Sequence, residues 1–234
     1  MNKPTQQYVT VERIGQHVLL LVLNRPEARN AVNTAFAAEV GAWLAHFEAD
    51  PELRIGVFAA NGVAFCAGGD NKEDTRAIVS KGGFAGFTQV KRTKPWIACV
   101  QGLALGGGAE IALCCEMLVM SENATMLWPG VHRGFVPRAV GAVYAPRRLP
   151  ANVFHEVILT GQPLTAQRAY LYGLANSVVP VEKVREEALR LAELAAKVDP
   201  AIAQSFFAKA RSTAELPLEE AWRLNDEAVA RGEL

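Results

Sequence analysis

The chain alternates apolar and polar residues over 8–13, turns at Gly15-Gln16 and then runs apolar over Val18–Leu23, a pattern that predicts a hairpin feeding a buried strand. Asn24-Arg25-Pro26-Glu27 breaks the run. From Thr34, apolar residues at Phe36, Val40, Trp43, Leu44 and Phe47 recur at helical spacing until Asp50-Pro51 ends the helix. The short apolar segment Ile55–Ala60 predicts a second buried strand. Strand, helix and strand in that order require a right-handed crossover onto a parallel pairing. The unit then recurs. A helical stretch containing Phe84, Phe87 and Val90 leads to the buried run Trp96–Val100, a glycine-rich turn, a helix through Cys115 and a strand over 117–120. Downstream of about Arg138 the periodicity is helical, at 140–148, 153–159, 165–172, 182–197, 201–211 and 218–231. The expectation is one α/β domain over 1–234, with an α/β core to about residue 138 and a helical region from about 139.

Charge narrows the function classes. The 234 residues carry 24 Lys and Arg against 24 Asp and Glu, so no net field gathers nucleic acid or an anionic membrane surface. No apolar stretch approaches the ~18 residues needed to cross a bilayer. The first residues lack the apolar run of a secretory signal, so a cytoplasmic location is expected. Cys66, Cys99, Cys114 and Cys115 form no C-x-x-C, and the histidines show no metal-ligand spacing, so neither a disulfide framework nor a metal site is expected. Only Cys66, in a glycine-rich loop, has a candidate setting for a nucleophilic thiol; the others read as buried and reduced.

Two glycine-rich loops each follow a buried strand. The first is Asn61-Gly-Val-Ala-Phe-Cys-Ala-Gly-Gly-Asp70-Asn71 and the second Gly102-Leu-Ala-Leu-Gly-Gly-Gly-Ala-Glu110. Neither is a G-x-x-x-x-G-K-[ST] phosphate loop, neither completes a dinucleotide fingerprint, and the chain has no G-x-S-x-G elbow. What remains is a pair of backbone N–H groups facing one carbonyl oxygen. Such donors stabilise a thioester as it becomes an enolate, each worth roughly 2.7 to 4 kcal/mol where one has been removed. For either loop alone, a tight turn beneath a helix is an equal alternative.

Taken together, Ala64-Phe-Cys-Ala-Gly-Gly-Asp70 and Gly102-Leu-Ala-Leu-Gly-Gly-Gly-Ala-Glu110 resemble the paired signatures of the enoyl-CoA hydratase/isomerase (crotonase) superfamily. Asn24-Arg-Pro-Glu-Ala-Arg-Asn-Ala31 resembles that family's first CoA-contacting turn. The likeness continues through Leu159-Thr-Gly161, Gly173-Leu174 and Val178-Val179-Pro180, and 149–219 is particularly similar to the carnitinyl-CoA dehydratase branch. The resemblance implies a crotonase-like spiral of ββα units with a helical C-terminal region that builds a homotrimer or a dimer of trimers. It implies an acyl-CoA thioester substrate, with coenzyme A as part of that substrate and no permanently bound cofactor. The family's oxyanion donors map onto the N–H groups of Gly69 and Gly107. Its adenine-side contacts map onto the backbone around Ala67, with Asp70 and Asn71 beside them. Arg25, Ala28 and Arg29 lie where pantetheine and phosphates pass, and a basic side chain suits a phosphate.

Glu110 falls on the first of the hydratases' two catalytic glutamates, one turn into its helix. A carboxyl on an otherwise apolar helix is expected to be partly desolvated, as a general acid or base requires; a first-turn carboxylate favoured by the helix dipole is the structural alternative. The second glutamate is absent, because that position holds Gly130. His132, two residues on, is the nearest titratable replacement, with a structural role as its alternative. Trp128 reads as acyl-pocket wall or as core. The leading expectation is an enoyl-CoA hydratase/isomerase. The alternatives are a single-acid Δ3-Δ2 enoyl-CoA isomerase, a decarboxylase or C–C hydrolase using His132, and a CoA-ester-binding subunit without catalysis.

Overall fold

The computed structural model describes residues 4, 7–73, 79–80, 82–134 and 141–232. Strands β1 (Val9–Ile14) and β2 (Val18–Leu23) form the expected hairpin, paired antiparallel from Val9 opposite Leu23 to Ile14 opposite Val18. Helix α1 (Thr34–Ala49) starts where the Asn33 side chain accepts from the Phe36 N–H, and its buried face is Phe36, Val40, Trp43, Leu44 and Phe47. It crosses to β3 (Ile55–Ala60), which lies parallel to β2 with all six residues buried. A buried strand on both faces explains the unbroken apolar run.

The chain then steps between two sheets. β3, β7 (Trp96–Val100) and β9 (Met117–Ser121) enter a six-stranded sheet of order β1-β2-β3-β7-β9-β12, where β12 is Ser177–Val179. β4 (Ala64–Cys66), β8 (Leu103–Leu105) and β10 (Thr125–Leu127) enter a four-stranded sheet of order β11-β10-β8-β4, where β11 is Leu164–Thr165. Each turn of the chain thus contributes one strand to each sheet, and helix α2 (Gly107–Cys114) follows β8. This is the ββα spiral. Between its layers Trp96, Phe47, Phe58 and Phe87 pack with ring centroids 4.9 to 5.6 Å apart. The ring of Trp96 occupies the space a side chain on Gly56 would need.

Two expectations require correction. The stretch containing Phe84, Phe87 and Val90 is not helical: β5 (Val79–Ser80) and β6 (Gly83–Phe84) form a small hairpin and turns follow. Ala85 has φ 57° and Gly86 φ 64°, left-handed backbone that no α-helix continues. The region after about 139 is also more than helix. β11 pairs antiparallel with β10 and β12 parallel with β9, so this region closes an edge of each sheet. The expected start of the region near Arg138, and Val140 with it, lies outside the described residues.

The later helices are α3 (Gly141–Arg148), α4 (Ala151–Thr160), α5 (Ala166–Leu171), α6 (Val184–Ala195), α7 (Pro200–Thr213) and α8 (Leu218–Ala230). Helix α6 packs Val184, Ala188 and Ala192 on the outer face of the large sheet. Helices α7 and α8 bury none of their residues. No helix among the described residues is long and apolar enough to cross a membrane.

Candidate active site

The turn after β2 builds one wall of the site. Arg29 and Asn30 both sit in the left-handed region, at φ 51° and 56°. Asn30 tolerates that backbone and is completely buried. Its Nδ2 donates to the carbonyls of Asn61 and Ala64, and its Oδ1 accepts from the Arg25 N–H. The chain leaves the turn at Val32, which bridges Gly69 in parallel. The Val32 N–H donates to Gly68 O and the Asp70 N–H to Val32 O, both at 2.8 Å. A parallel bridge uses the groups flanking Gly69, so the Gly69 N–H points away from Val32.

A Cβ on Gly68 would lie 2.9 Å from Leu105 O and 3.6 Å from Gly107 N, and one on Gly108 would lie 2.2 Å from Cys66 O. The two glycine loops are therefore in backbone contact, at a spacing only glycine permits. The N–H groups of Gly69 and Gly107 donate to no acceptor among the described residues. The ring of Phe84 lies directly on Gly107, where a Cβ would come within 2.4 Å of it.

Glu110 stands one turn into α2 and is 3% exposed. Its Oε1 accepts from the Gly141 N–H at 2.8 Å, at the start of α3. Trp128 is buried beside this contact. Its Cδ1 and Nε1 lie 3.3 and 3.4 Å from where a Cβ on Gly141 would sit, and Nε1 has no hydrogen-bond partner among the described residues. Gly130 is buried and opens the short 3-10 turn Val131–Arg133. His132 on that turn is exposed, and its ring packs on Gly161 at the end of α4. Glu110 and His132 are held by different elements.

Arg25 is engaged within the protein, donating to Ala31 O and pairing with Asp70 at 2.7 Å. Ala28 lies in the short 3-10 turn Pro26–Ala28, Ala67 N–H donates to Arg29 O, and Asn71 is exposed. Arg29 and Lys72 are exposed and form no ion pair among the described residues, which makes them better placed than Arg25 to meet a phosphate. The Lys72 N–H, followed by the Arg25 guanidinium, holds the Asp70 carboxyl below its ordinary value of 3.8. A depressed carboxyl stabilises the fold above that value and stops doing so as it protonates. Asp70→Asn is therefore expected to lower thermal stability at pH 7, with the difference from wild type vanishing as the pH falls below 3.8.

Cys66 is not a nucleophile. It is fully buried, its thiol donates to Asn30 O, and burial pushes its pKa up to about 12. Among the described residues no three His, Cys, Asp or Glu side chains cluster as metal ligands.

This geometry has relatives. A model of enoyl-CoA hydratase/isomerase matches residues 13–230. The chain belongs to the enoyl-CoA hydratase/isomerase family. Carnitinyl-CoA dehydratase of Proteus mirabilis (strain HI4320) is 36% identical over 214 residues, covering 88% of this chain and 82% of the relative. Among solved structures, an enoyl-CoA hydratase from Mycobacterium marinum matches with a TM-score of 0.90 at 30% identity, covering 97% of this chain and 90% of that one. A carnitinyl-CoA dehydratase from Mycobacterium avium 104 matches with a TM-score of 0.79 at 34% identity, covering 95% and 91%. The family and fold expected from the glycine loops are thus shown.

Asn30, Phe84 and Gly141 escaped the sequence reading of this hydratase/isomerase family member. Asn30 ties the first turn to both ends of the first glycine loop, Phe84 covers Gly107, and the Gly141 N–H orients Glu110. Only Asn30 carried a signal, since a buried Asn in a turn must find partners for its amide.

Proposed function

We propose that the chain binds an acyl-CoA thioester, polarises its carbonyl oxygen between the N–H groups of Gly69 and Gly107, and moves a proton at the α carbon with Glu110. The observation that carries this is the backbone contact of the two glycine loops, with a buried carboxyl one helical turn from Gly107. Their placement serves an oxygen that gains negative charge, and Gly107 adds the positive end of the α2 dipole. The exposed apolar residues Ile202, Phe206, Leu218 and Trp222 on α7 and α8 support assembly of copies through that region, as a homotrimer or a dimer of trimers.

With Gly130 in place of a second acid, migration of a double bond is the reaction one carboxyl serves best. Glu110 takes a proton from C2 of a 3-enoyl-CoA, the electron pair spreads through the thioester oxygen and C4, and the same carboxyl returns the proton to C4. Addition of water needs a further group to hold and activate the water. Dehydration is the second reading, favoured by the 36% identity to carnitinyl-CoA dehydratase. Steady-state assays decide between them. Conversion of 3-hexenoyl-CoA to the 2-enoyl ester is expected to exceed hydration of crotonyl-CoA by on the order of 100-fold in kcat/KM. The reverse ratio would favour hydration and dehydration, and no turnover with CoA esters still bound would leave a binding subunit. His132→Ala is expected to keep its turnover, since that ring faces Gly161. Loss of turnover in a folded His132→Ala protein would instead favour decarboxylation or C–C cleavage with His132 as the base.

A further inference from the structure

The face of α2 that carries Glu110 continues, four residues on, to Cys114. Two segments run beside it. On one side Phe84 covers Gly107, and further along the Cys114 thiol donates to Thr88 O while Arg92 Nη2 donates to Cys114 O. On the other side Gly141 meets Glu110, and Tyr144 stands one turn further along α3. At the Cys114 level lies a half-open cavity of about 380 Å³, whose wall includes Lys91, Arg92, Cys114, Glu116, Tyr144 and Arg211.

The cavity is built for negative charge. Three cations line it against one carboxylate, and that carboxylate is already occupied: Glu116 accepts from the Trp96 N–H at 2.7 Å and from Arg211 at 2.6 Å, and lies 3.5 Å from Arg92. Arg92 is 8% exposed, and its Nη1 is fully buried with no acceptor among the described residues. Capping of α2 accounts for Nη2, and the Phe87 ring covers one face of the guanidinium with its centroid 4.4 Å from Cζ, while Nη1 keeps its hydrogen-bonding capacity unused. A buried guanidinium N–H without a partner is costly, and a carboxylate satisfies it best.

The direction of α2 decides which part of a substrate arrives there. With the carbonyl oxygen at Gly107 and the α carbon at Glu110, an acyl chain continuing the same way reaches the Cys114 level after a rise of ~6 Å, about the span from C2 to C6. We propose that the cavity is a subsite for a carboxylate at the far end of the acyl group, so that the preferred substrates are ω-carboxyacyl-CoA thioesters of about six carbons. This rests on the reading of Gly69, Gly107 and Glu110 given above. The same field opposes an acyl group that ends in a cation, such as a trimethylammonium.

Calorimetric binding of two saturated esters, hexanoyl-CoA and hexanedioyl-CoA, tests the subsite without relying on turnover. Hexanedioyl-CoA is expected to bind the wild-type protein at least about tenfold more tightly. Arg211→Met is expected to reduce that ratio by about fivefold, and Arg211→Lys to preserve most of it. If hexanoyl-CoA binds and hexanedioyl-CoA binds no more tightly, the subsite is overturned while the proposed chemistry stands. A ratio that survives Arg211→Met unchanged removes the carboxylate from this cavity, and binding of neither ester overturns both readings.

Discussion

Glu110→Gln is expected to lower kcat by on the order of 1,000-fold, the loss that follows removal of a positioned general acid or base. The amide has the shape of the carboxylate and keeps an oxygen to accept from the Gly141 N–H, so the α2–α3 contact at 2.8 Å is retained. What disappears is the capacity to take and return a proton. The affinity for hexanoyl-CoA should change little, because the carbonyl is gripped by main-chain groups that the substitution does not touch. Single-turnover kinetics combined with calorimetry separates the two quantities. A variant that turned over 3-hexenoyl-CoA at the wild-type rate would remove Glu110 from the chemistry.

Gly108→Ala is expected to have the second largest effect, although it adds a single methyl group. The new carbon would lie 2.2 Å from Cys66 O and 2.8 Å from Cys66 Cβ, so the first glycine loop and α2 must separate. Overpacking of this kind costs about 1 to 3 kcal/mol. The catalytic cost is larger in proportion, because a displacement of about 1 Å between positioned groups can lower the rate about 100-fold. Gly41→Ala makes the contrast. Its nearest neighbour, Gly86 O, stands 3.5 Å away, an ordinary contact, and alanine favours the interior of α1. Thermal unfolding of the two variants should therefore shift in opposite directions, with turnover lowered in Gly108→Ala alone.

The strongest elements were legible because one physical period governed each. β2 and β3 read as strands because both faces are buried, and α1 because Phe36, Val40, Trp43, Leu44 and Phe47 keep one face inward. The segment from Phe84 misled for the same reason: apolar residues three apart imitate a helix, whereas Ala85 and Gly86 take left-handed backbone. β11 and β12 were invisible, since two or three residues carry no period and their pairing partners lie far away in the chain. Of the candidate site, the meeting of the two glycine loops and the burial of Glu110 were legible because both follow from residues local to those loops. The engagement of Arg25 by Asp70, the covering of Gly107 by Phe84 and the orientation of Glu110 by Gly141 are tertiary facts that no local pattern encodes.

The absence of any buried residue in α7 and α8 bears on how the molecule comes apart. Helices that rest on so little apolar contact open at small free energy, independently of the sheets. Arg211 is a bridge from α7 to the body, through Arg92 O and Glu116, so each opening would also loosen the far end of α2. In the isolated chain, deuterium should enter the amides of α7 and α8 well before those of β3 and β7, and a protease should sever the tail first. A surface laid over these helices would slow both processes together.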